Sequence, residues 1–402
     1  MACLHAVEIC AQRPIKDLKP TVILISLDGF RYDYLDKYSP PTLNALAKDG
    51  VRAKWMIPSF PTKTFPNHYT IATGLYPAHH GIIDNNIRDF GVTFTLGNRD
   101  EVQKSRWWLG EPIWVTAEKQ NVRSAAYFFV GTEAEIMGKR PSIWKQYDGK
   151  IPNTERVDTV LSWLDLPKKE RPRMITMYFS DTDDAGHGYS PESDEVRDAV
   201  AKVDSEIKRL LDGLATRKIN KKVNVIIVSD HGMATVDQRN AIIMDDYLDQ
   251  KMLEIEPLKT GEIWQIFPKT GETENVMQGL AKIHHASCWR KSEIPERLNY
   301  RDSSRIAPII CSSEPGWVMT DRSRFENISK RADFLRPRGA HGYDNKYQVM
   351  QATFIAHGKA FKRGYVAEPF ANIEVYNLMC KILKLKPAKN DGDLVRVKNM
   401  LR

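Results

Sequence analysis

The chain has 402 residues, 42% hydrophobic and 27% charged, enough to bury a large core as one domain with an inserted subdomain or as two domains. No uncharged apolar run approaches bilayer-crossing length, and the formal net charge of +8 is dispersed, which argues against a transmembrane segment and against a nucleic-acid-binding arm. The five cysteines (Cys3, Cys10, Cys288, Cys311, Cys380) show no CxxC spacing, which argues against a cysteine zinc site and leaves a Cys288 to Cys311 disulfide or buried free thiols open.

The opening MACLHAVEICAQRPIKD is too short, and too interrupted by His5 and Glu8, to read as an intact secretory leader. Residues 21–27 (TVILISL) then form a continuous β-branched run that predicts a strand buried on both faces of a parallel sheet, ending at Asp28-Gly29. In open α/β sheets ligands gather beyond the carboxyl ends of strands, so an acid there is a candidate ligand. A helix is expected over 41–48 and an extended segment over 51–57.

Residues 58–86, PSFPTKTFPNHYTIATGLYPAHHGIIDNN, come next. Pro66 suits a first helical turn, 67–73 can continue the helix, and Gly74 stops it. Thr64 then sits at or just before the N-cap, where unpaired N–H groups and the helix dipole favour a phosphate and a partly ionised alkoxide. Thr64 is thus either a nucleophile or simply a capping residue.

A helix-then-strand pattern spans 107–130, and the apolar strand 174–179 (MITMYF) runs into Asp181, Asp183, Asp184 and His187. Apolar residues recurring at helical spacing over 191–215 predict a long amphipathic helix. A third apolar strand at 223–228 ends at Asp230-His231-Gly232. From 234 to 336 short strands and a helix at 274–283 suggest a smaller inserted α+β subdomain; the sequon Asn327-Ile328-Ser329 falls within it. His341 follows in GAHGYDN, and a strand over 348–356 with a helix over 373–382 closes the main sheet. The division expected is a lead-in at 1–20, a core at 21–233 and 337–402, and the insertion at 234–336.

Asp28, Asp183, His187, Asp230, His231 and His341 are imidazoles and carboxylates of the kind that zinc accepts while keeping open positions for substrate. Asp183 and His187 can meet across one turn, although Gly186 and Gly188 suggest a tight loop rather than a regular helix. Singly, each is explained as a turn, cap or core residue. Together, at three strand ends, they point to a metal centre.

The motifs ISLDGFR, TKTFPNHYTIATGLYPAHHGIIDN, DTDDAGHGYSPES, VSDHGM and AHGYDN resemble, in order, those of the nucleotide pyrophosphatase/phosphodiesterase family of the alkaline phosphatase superfamily. The resemblance implies an α/β fold with a mostly parallel central sheet sandwiched by helices, and a compact, bacterial-type member consisting of the catalytic domain. Position by position, it implies one zinc on Asp183, His187 and His341 and another on Asp28, Asp230, His231 and the Thr64 oxygen. Thr64 becomes the nucleophile, and Asn85 donates to a phosphoryl oxygen. Phe65, Tyr147 and Tyr178 match positions that border or stack on a nucleotide base, although by sequence alone they would be core aromatics. The implied reaction is hydrolysis of nucleoside triphosphates, dinucleotides and nucleotide sugars through a phospho-threonine, by a periplasmic or secreted monomer. The rivals are a choline-headed phosphodiesterase, a phosphomonoesterase and an inactive binding protein on the same fold.

Overall fold

The run at 21–27 is buried at every position because it lies inside a sheet covered on both sides. The computed structural model describes residues 14–402, so Cys3, Cys10 and the first part of the lead-in lie outside the described residues. In chain order the principal elements are β1 (Thr21–Leu27), α1 (Pro41–Asp49), β2 (Val51–Ala53), α2 (Thr64–Thr73), α3 (Ile113–Lys119), β3 (Ser124–Tyr127), β4 (Ile143–Lys145) and α4 (Asn153–Asp165). They continue with β5 (Met174–Phe179), α5 (Asp181–Tyr189), α6 (Asp194–Thr216), β6 (Val223–Val228), β7 (Leu253–Lys259), β8 (Ile263–Pro268), α7 (Thr273–Leu280), β9 (Ala286–Arg290), β10 (Ile309–Ser313), α8 (Arg322–Ser329), β11 (Phe354–His357), β12 (Tyr365–Ala367) and α9 (Glu374–Leu383).

An eight-stranded sheet runs in the order β12-β2-β11-β6-β1-β5-β3-β4. It is parallel except for β11, which is antiparallel to both neighbours. Alternation along β1 explains the unbroken apolar run: Val22 and Leu24 pack in the cluster that contains residues of α2, α3 and α9, while Ile23, Ile25 and Leu27 pack with those of α1, α4 and α6. A helix layer on each face leaves no wet side for polar residues. The predicted long helix is α6, whose Ser193 accepts the Val196 N–H at 3.2 Å and whose Val196, Val200, Val203, Ile207, Leu210 and Leu214 are buried.

Between β6 and β11 a second, four-stranded sheet has the order β7-β8-β10-β9. Cys288 of β9 lies directly opposite Cys311 of β10, and the two are joined in a disulfide, so these two are not free thiols. Cys380 is free and buried. This sheet does not stand apart from the core. Ile263, Tyr300 and Ile310 belong to the same apolar cluster as α2, and the Tyr300 hydroxyl donates to the Ile83 carbonyl at 2.9 Å.

Three local expectations need correction. Residues 181–189 form a regular helix, α5, not a tight loop. Gly186 packs closely there: a Cβ would meet the terminal Met233 Cε at 2.9 Å, and the strand Arg338–Ala340 lies against the Gly186 carbonyl at Gly339. Thr64 is the first residue of α2, and Lys63 is the N-cap. The strand expected over 348–356 is a 3₁₀ turn at Gln348–Met350 followed by the shorter β11.

Helix α1 opens with Pro40 at its N-cap and no side-chain cap of its own. Asp204 of α6, 4% exposed, accepts the N–H groups of Leu43 at 2.7 Å and Thr42 at 3.1 Å, so a neighbouring helix supplies the capping carboxylate. Asp204→Ala is expected to lower stability by about 2 kcal/mol in denaturant unfolding, with the far-UV spectrum intact. Unchanged stability would mean that the cap contributes nothing.

Candidate active site

The site lies at the carboxyl end of the central strands. Asp28 follows β1, Asp183 is in the first turn of α5 just beyond β5, and Asp230 and His231 follow β6. The fourth contribution comes from far along the chain. Ala234–Val236, just after β6, pairs antiparallel with Arg338–Ala340, and this return sets His341 beside the other ligands. Gly29 can turn away from β1 with φ +64°, and its N–H donates to Asp230 Oδ1 at 3.1 Å. A side chain at Gly29 would press on Asp183, whose backbone lies 3.1 Å from the position of a Cβ.

These residues form two groups, Asp183 with His187 and His341, and Asp28 with Asp230 and His231; within each group the ligand atoms lie within 4.8 Å of one another. All three imidazoles are held in the same way. Nδ1 meets a backbone carbonyl in each: Gly339 for His187 at 2.9 Å, Thr62 for His341 at 2.8 Å and Gly232 for His231 at 2.8 Å. Donation by Nδ1–H leaves Nε2 as a bare lone pair aimed inward, the orientation a metal ligand needs. His187 Nε2 and His341 Nε2 then lie 3.1 Å apart, too close for two lone pairs without a cation between them. One buried oxygen of each acid, Asp28 Oδ1, Asp183 Oδ1 and Asp230 Oδ2, has no hydrogen bond among the described residues. Orphaned carboxylate oxygens facing imidazole lone pairs fit divalent cations.

The electrostatics reflect this crowding: burial acts downward on His231, but the Asp230 carboxylate outweighs it and holds the imidazole above its ordinary range. Burial, together with the charges of Asp230 and Asp183, pushes the Asp28 carboxyl well above the usual range. Burial also acts upward on Asp230, but the His231 and His68 imidazoles outweigh it and hold the group well below. Burial, reinforced by His231, His187 and Lys63, keeps His341 well below the ordinary imidazole range and therefore neutral, as a ligand must be. Its ring stacks on His231 with centroids 3.5 Å apart.

The Thr64 hydroxyl lies 3.3 Å from His231 Nε2, at the edge of the Asp28 group and at the N-terminus of α2. Asn85 accepts the Phe65 N–H through Oδ1 at 2.9 Å, and its NH₂ makes no hydrogen bond among the described residues. From Thr64 a cavity of about 320 Å³ opens, lined by Asp28, Phe65, Tyr147, Tyr178 and Asp183 among others. Phe65 is braced by Phe94 and Trp108, with ring centroids at 5.9 and 6.1 Å. Tyr147 is 40% exposed, edge-on to Tyr178 at 6.2 Å. Tyr178 has a duty the sequence did not suggest: its hydroxyl donates to Asp28 Oδ2 at 2.6 Å, leaving Oδ1 to the metal position.

A family model described as type I phosphodiesterase/nucleotide pyrophosphatase matches residues 22–344. The chain belongs to that family. It is 39% identical over 393 residues to the venom phosphodiesterase CdcPDE of Crotalus durissus collilineatus, covering 95% of this chain and 46% of that protein. It is 39% identical over 396 residues to human ectonucleotide pyrophosphatase/phosphodiesterase family member 1, covering 95% and 42%. The chain thus spans less than half the length of these curated relatives. Among solved structures, an inactive form of murine ectonucleotide pyrophosphatase/phosphodiesterase 5 in complex with AMP superposes with a TM-score of 0.88 at 31% identity, covering 96% of this chain and all of that one.

Sequence reading of this phosphodiesterase-family chain missed several supports. His68 lies beneath the site, with Nδ1 2.8 Å from the Thr64 carbonyl and Nε2 2.7 Å from Ser26 Oγ. Lys63 turns away from Thr64 into a buried ion pair with Glu262, so the second sheet is tied directly to the Thr64 segment. Gln265 of β8 adds to this by donating to Asp84 Oδ2 and the Asn86 carbonyl, each at 3.2 Å, on either side of Asn85. A lone histidine in PNHYT and a glutamate 199 residues from its lysine carry no local signal.

Because Gly339 both holds His187 and touches Gly186, a methyl at Gly339 would wedge the strand away from α5. Adding a divalent cation to chelated protein should raise its unfolding midpoint. Gly339→Ala should weaken cation affinity by about 10–100-fold and, because its methyl strikes the Gly186 backbone, also lower the metal-free midpoint. A midpoint indifferent to any divalent cation would refute the metal-centre reading.

Proposed function

We propose that this protein is a zinc-dependent phosphodiesterase that cleaves nucleotide pyrophosphate and phosphodiester bonds and releases nucleoside 5′-monophosphates. The observation that carries the reading is the Thr64 hydroxyl, placed at a helix N-terminus beside His231 and opening onto an aromatic cavity. The imidazole and carboxylate donors suit Zn²⁺, one ion on Asp183, His187 and His341 and a second on Asp28, Asp230, His231 and Thr64 Oγ1. Two such ions would lower the pKa of the Thr64 hydroxyl and offset charge building on the phosphoryl oxygens.

Thr64 Oγ1 attacks phosphorus as the bond to the leaving group breaks, which leaves a phospho-threonine on the chain. The positive end of the α2 dipole favours the negative charge that accumulates there. The Asn85 NH₂, held outward by the Phe65 N–H, donates to a non-bridging oxygen. Water then cleaves the Thr64 oxygen–phosphorus bond, frees the 5′-monophosphate and restores the hydroxyl. Phe65 and Tyr147 give the base a flat apolar bed, which suits nucleoside triphosphates, dinucleotides and nucleotide sugars alike. The AMP held by the solved relative supports the same class.

A dianionic monoester calls for additional cationic groups. Lys63 is engaged with Glu262, and the cavity's Arg99 pairs with Glu133, so neither is free for a phosphate. Among the described residues no helix is long and apolar enough to cross a membrane. The ecto- and venom enzymes among the relatives favour a location outside the cytoplasm, in a periplasm or secreted, for a monomer.

Thr64→Ala is expected to lower turnover at least about 10³-fold while retaining bound zinc, measured by metal analysis beside a steady-state assay. Most of the activity surviving would remove Thr64 from the nucleophile role. The nitrophenyl ester of thymidine 5′-monophosphate should be cleaved far faster than nitrophenyl phosphate or nitrophenyl phosphocholine, and Tyr147→Ala should mainly raise KM for the nucleotide ester. Comparable cleavage of either rival substrate would overturn the nucleotide reading.

A further inference from the structure

Helix α8 has no fully buried residue, and beneath it lies a second cavity of about 300 Å³ that shares no lining residue with the one at Thr64. Its apolar wall includes Val236 and Val318, and Phe325 and Ile328 of α8 form a half-buried roof. Roughly 300 Å³ is at the lower end of small-molecule pockets.

Cationic groups outnumber the single acid, Glu262, in the charged lining. Arg324, Arg331 and Arg338 border the cavity, and the Arg324 guanidinium makes no ion pair or side-chain hydrogen bond among the described residues. Arg331 and Arg338 share a single acid, Asp333, with Arg336. The nearby carboxylates of Glu262 and Asp321 are already taken by Lys63 and Lys259. An apolar slot with surplus guanidinium groups at its edge suits an anion carrying an apolar tail, because the fork of a guanidinium matches a carboxylate.

We propose that this cavity binds a medium-chain fatty acid, its tail between the α8 roof and the Val236–Val318 wall and its carboxylate on Arg324 and Arg331. The site needs neither Thr64 nor the aromatic cavity, so its occupancy stands or falls independently of the catalytic reading. It shares one element with the metal centre, the strand Arg338–Ala340, whose Gly339 carbonyl holds His187.

The test is calorimetric titration of decanoate, below its micellar concentration, into the whole protein with divalent cation present. Saturable one-to-one binding is expected. It should weaken about tenfold or more in the double variant Arg324→Gln/Arg331→Gln and disappear in Ile328→Trp, which fills the slot from its roof. Decanol and decyltrimethylammonium should bind at least about tenfold more weakly than decanoate. Unfolding midpoints of both variants verify that they fold. Three outcomes overturn the proposal: no saturable binding, equal binding of decyltrimethylammonium, or decanoate affinity that survives both variants, which would put the carboxylate on the metal centre instead.

Discussion

Two carboxylates, Asp28 and Asp230, are buried within 4.8 Å of one another at the end of a sheet with half-buried Asp183 beside them, and this crowding of like charge is the constraint on which the site depends. Asp28 and Asp230 are 1% and 0% exposed. Two unit charges about 4 Å apart repel by about 4 kcal/mol at an effective dielectric of 20, a large share of a domain's total stability of about 5–15 kcal/mol. The fold tolerates the arrangement by surrounding it with hydrogen bonds aimed at the outer oxygens. The Tyr178 hydroxyl takes one oxygen of Asp28, and the Gly29 N–H takes one of Asp230. The oxygen left over on each acid faces inward, where only a cation or a proton can satisfy it.

The imidazoles obey the same logic from the other side. A backbone carbonyl at each Nδ1 dictates which nitrogen is bare, and the His231 and His341 rings stack with centroids 3.5 Å apart. Rigidity comes from parallel strands pinned between two helix layers. Precision comes from close backbone approaches at Gly29, where a side chain would press on Asp183, and at Gly339, where it would strike the Gly186 backbone. The second sheet contributes as well: Lys63 with Glu262, and Gln265 with Asp84, anchor both ends of the segment that carries Thr64 and Asn85.

Much of the fold and the site was legible in the chain because the signals were local. The apolar runs of β1, β5 and β6 each end at an acid, and a parallel sheet buried on both faces leaves no other place for such runs. The α6 stripe has a period that only a helix satisfies. What misled was also local. Gly186 and Gly188 lower helix propensity by about 1 kcal/mol each, which argued for a loop over 183–188, but packing of Gly186 against Met233 and Gly339 outweighed that preference. Spacing could not distinguish a disulfide from free thiols at Cys288 and Cys311, since their opposition depends on the register of β9 and β10.

Residue chemistry along the chain was sufficient for the class of fold, the central strands β1, β5 and β6, the long helix α6, and the donor types gathered at the strand ends, because burial on two faces and helical periodicity are written in neighbouring residues. Only the tertiary structure decided which nitrogen of each histidine faces inward, which oxygen of each acid is left bare, and that Lys63 serves the scaffold while the Tyr178 hydroxyl orients Asp28. Except for His231, whose partner is its neighbour Gly232, those outcomes depend on partners far apart in the chain, such as Thr62 with His341 or Tyr178 with Asp28, and no local pattern encodes a contact made across that distance.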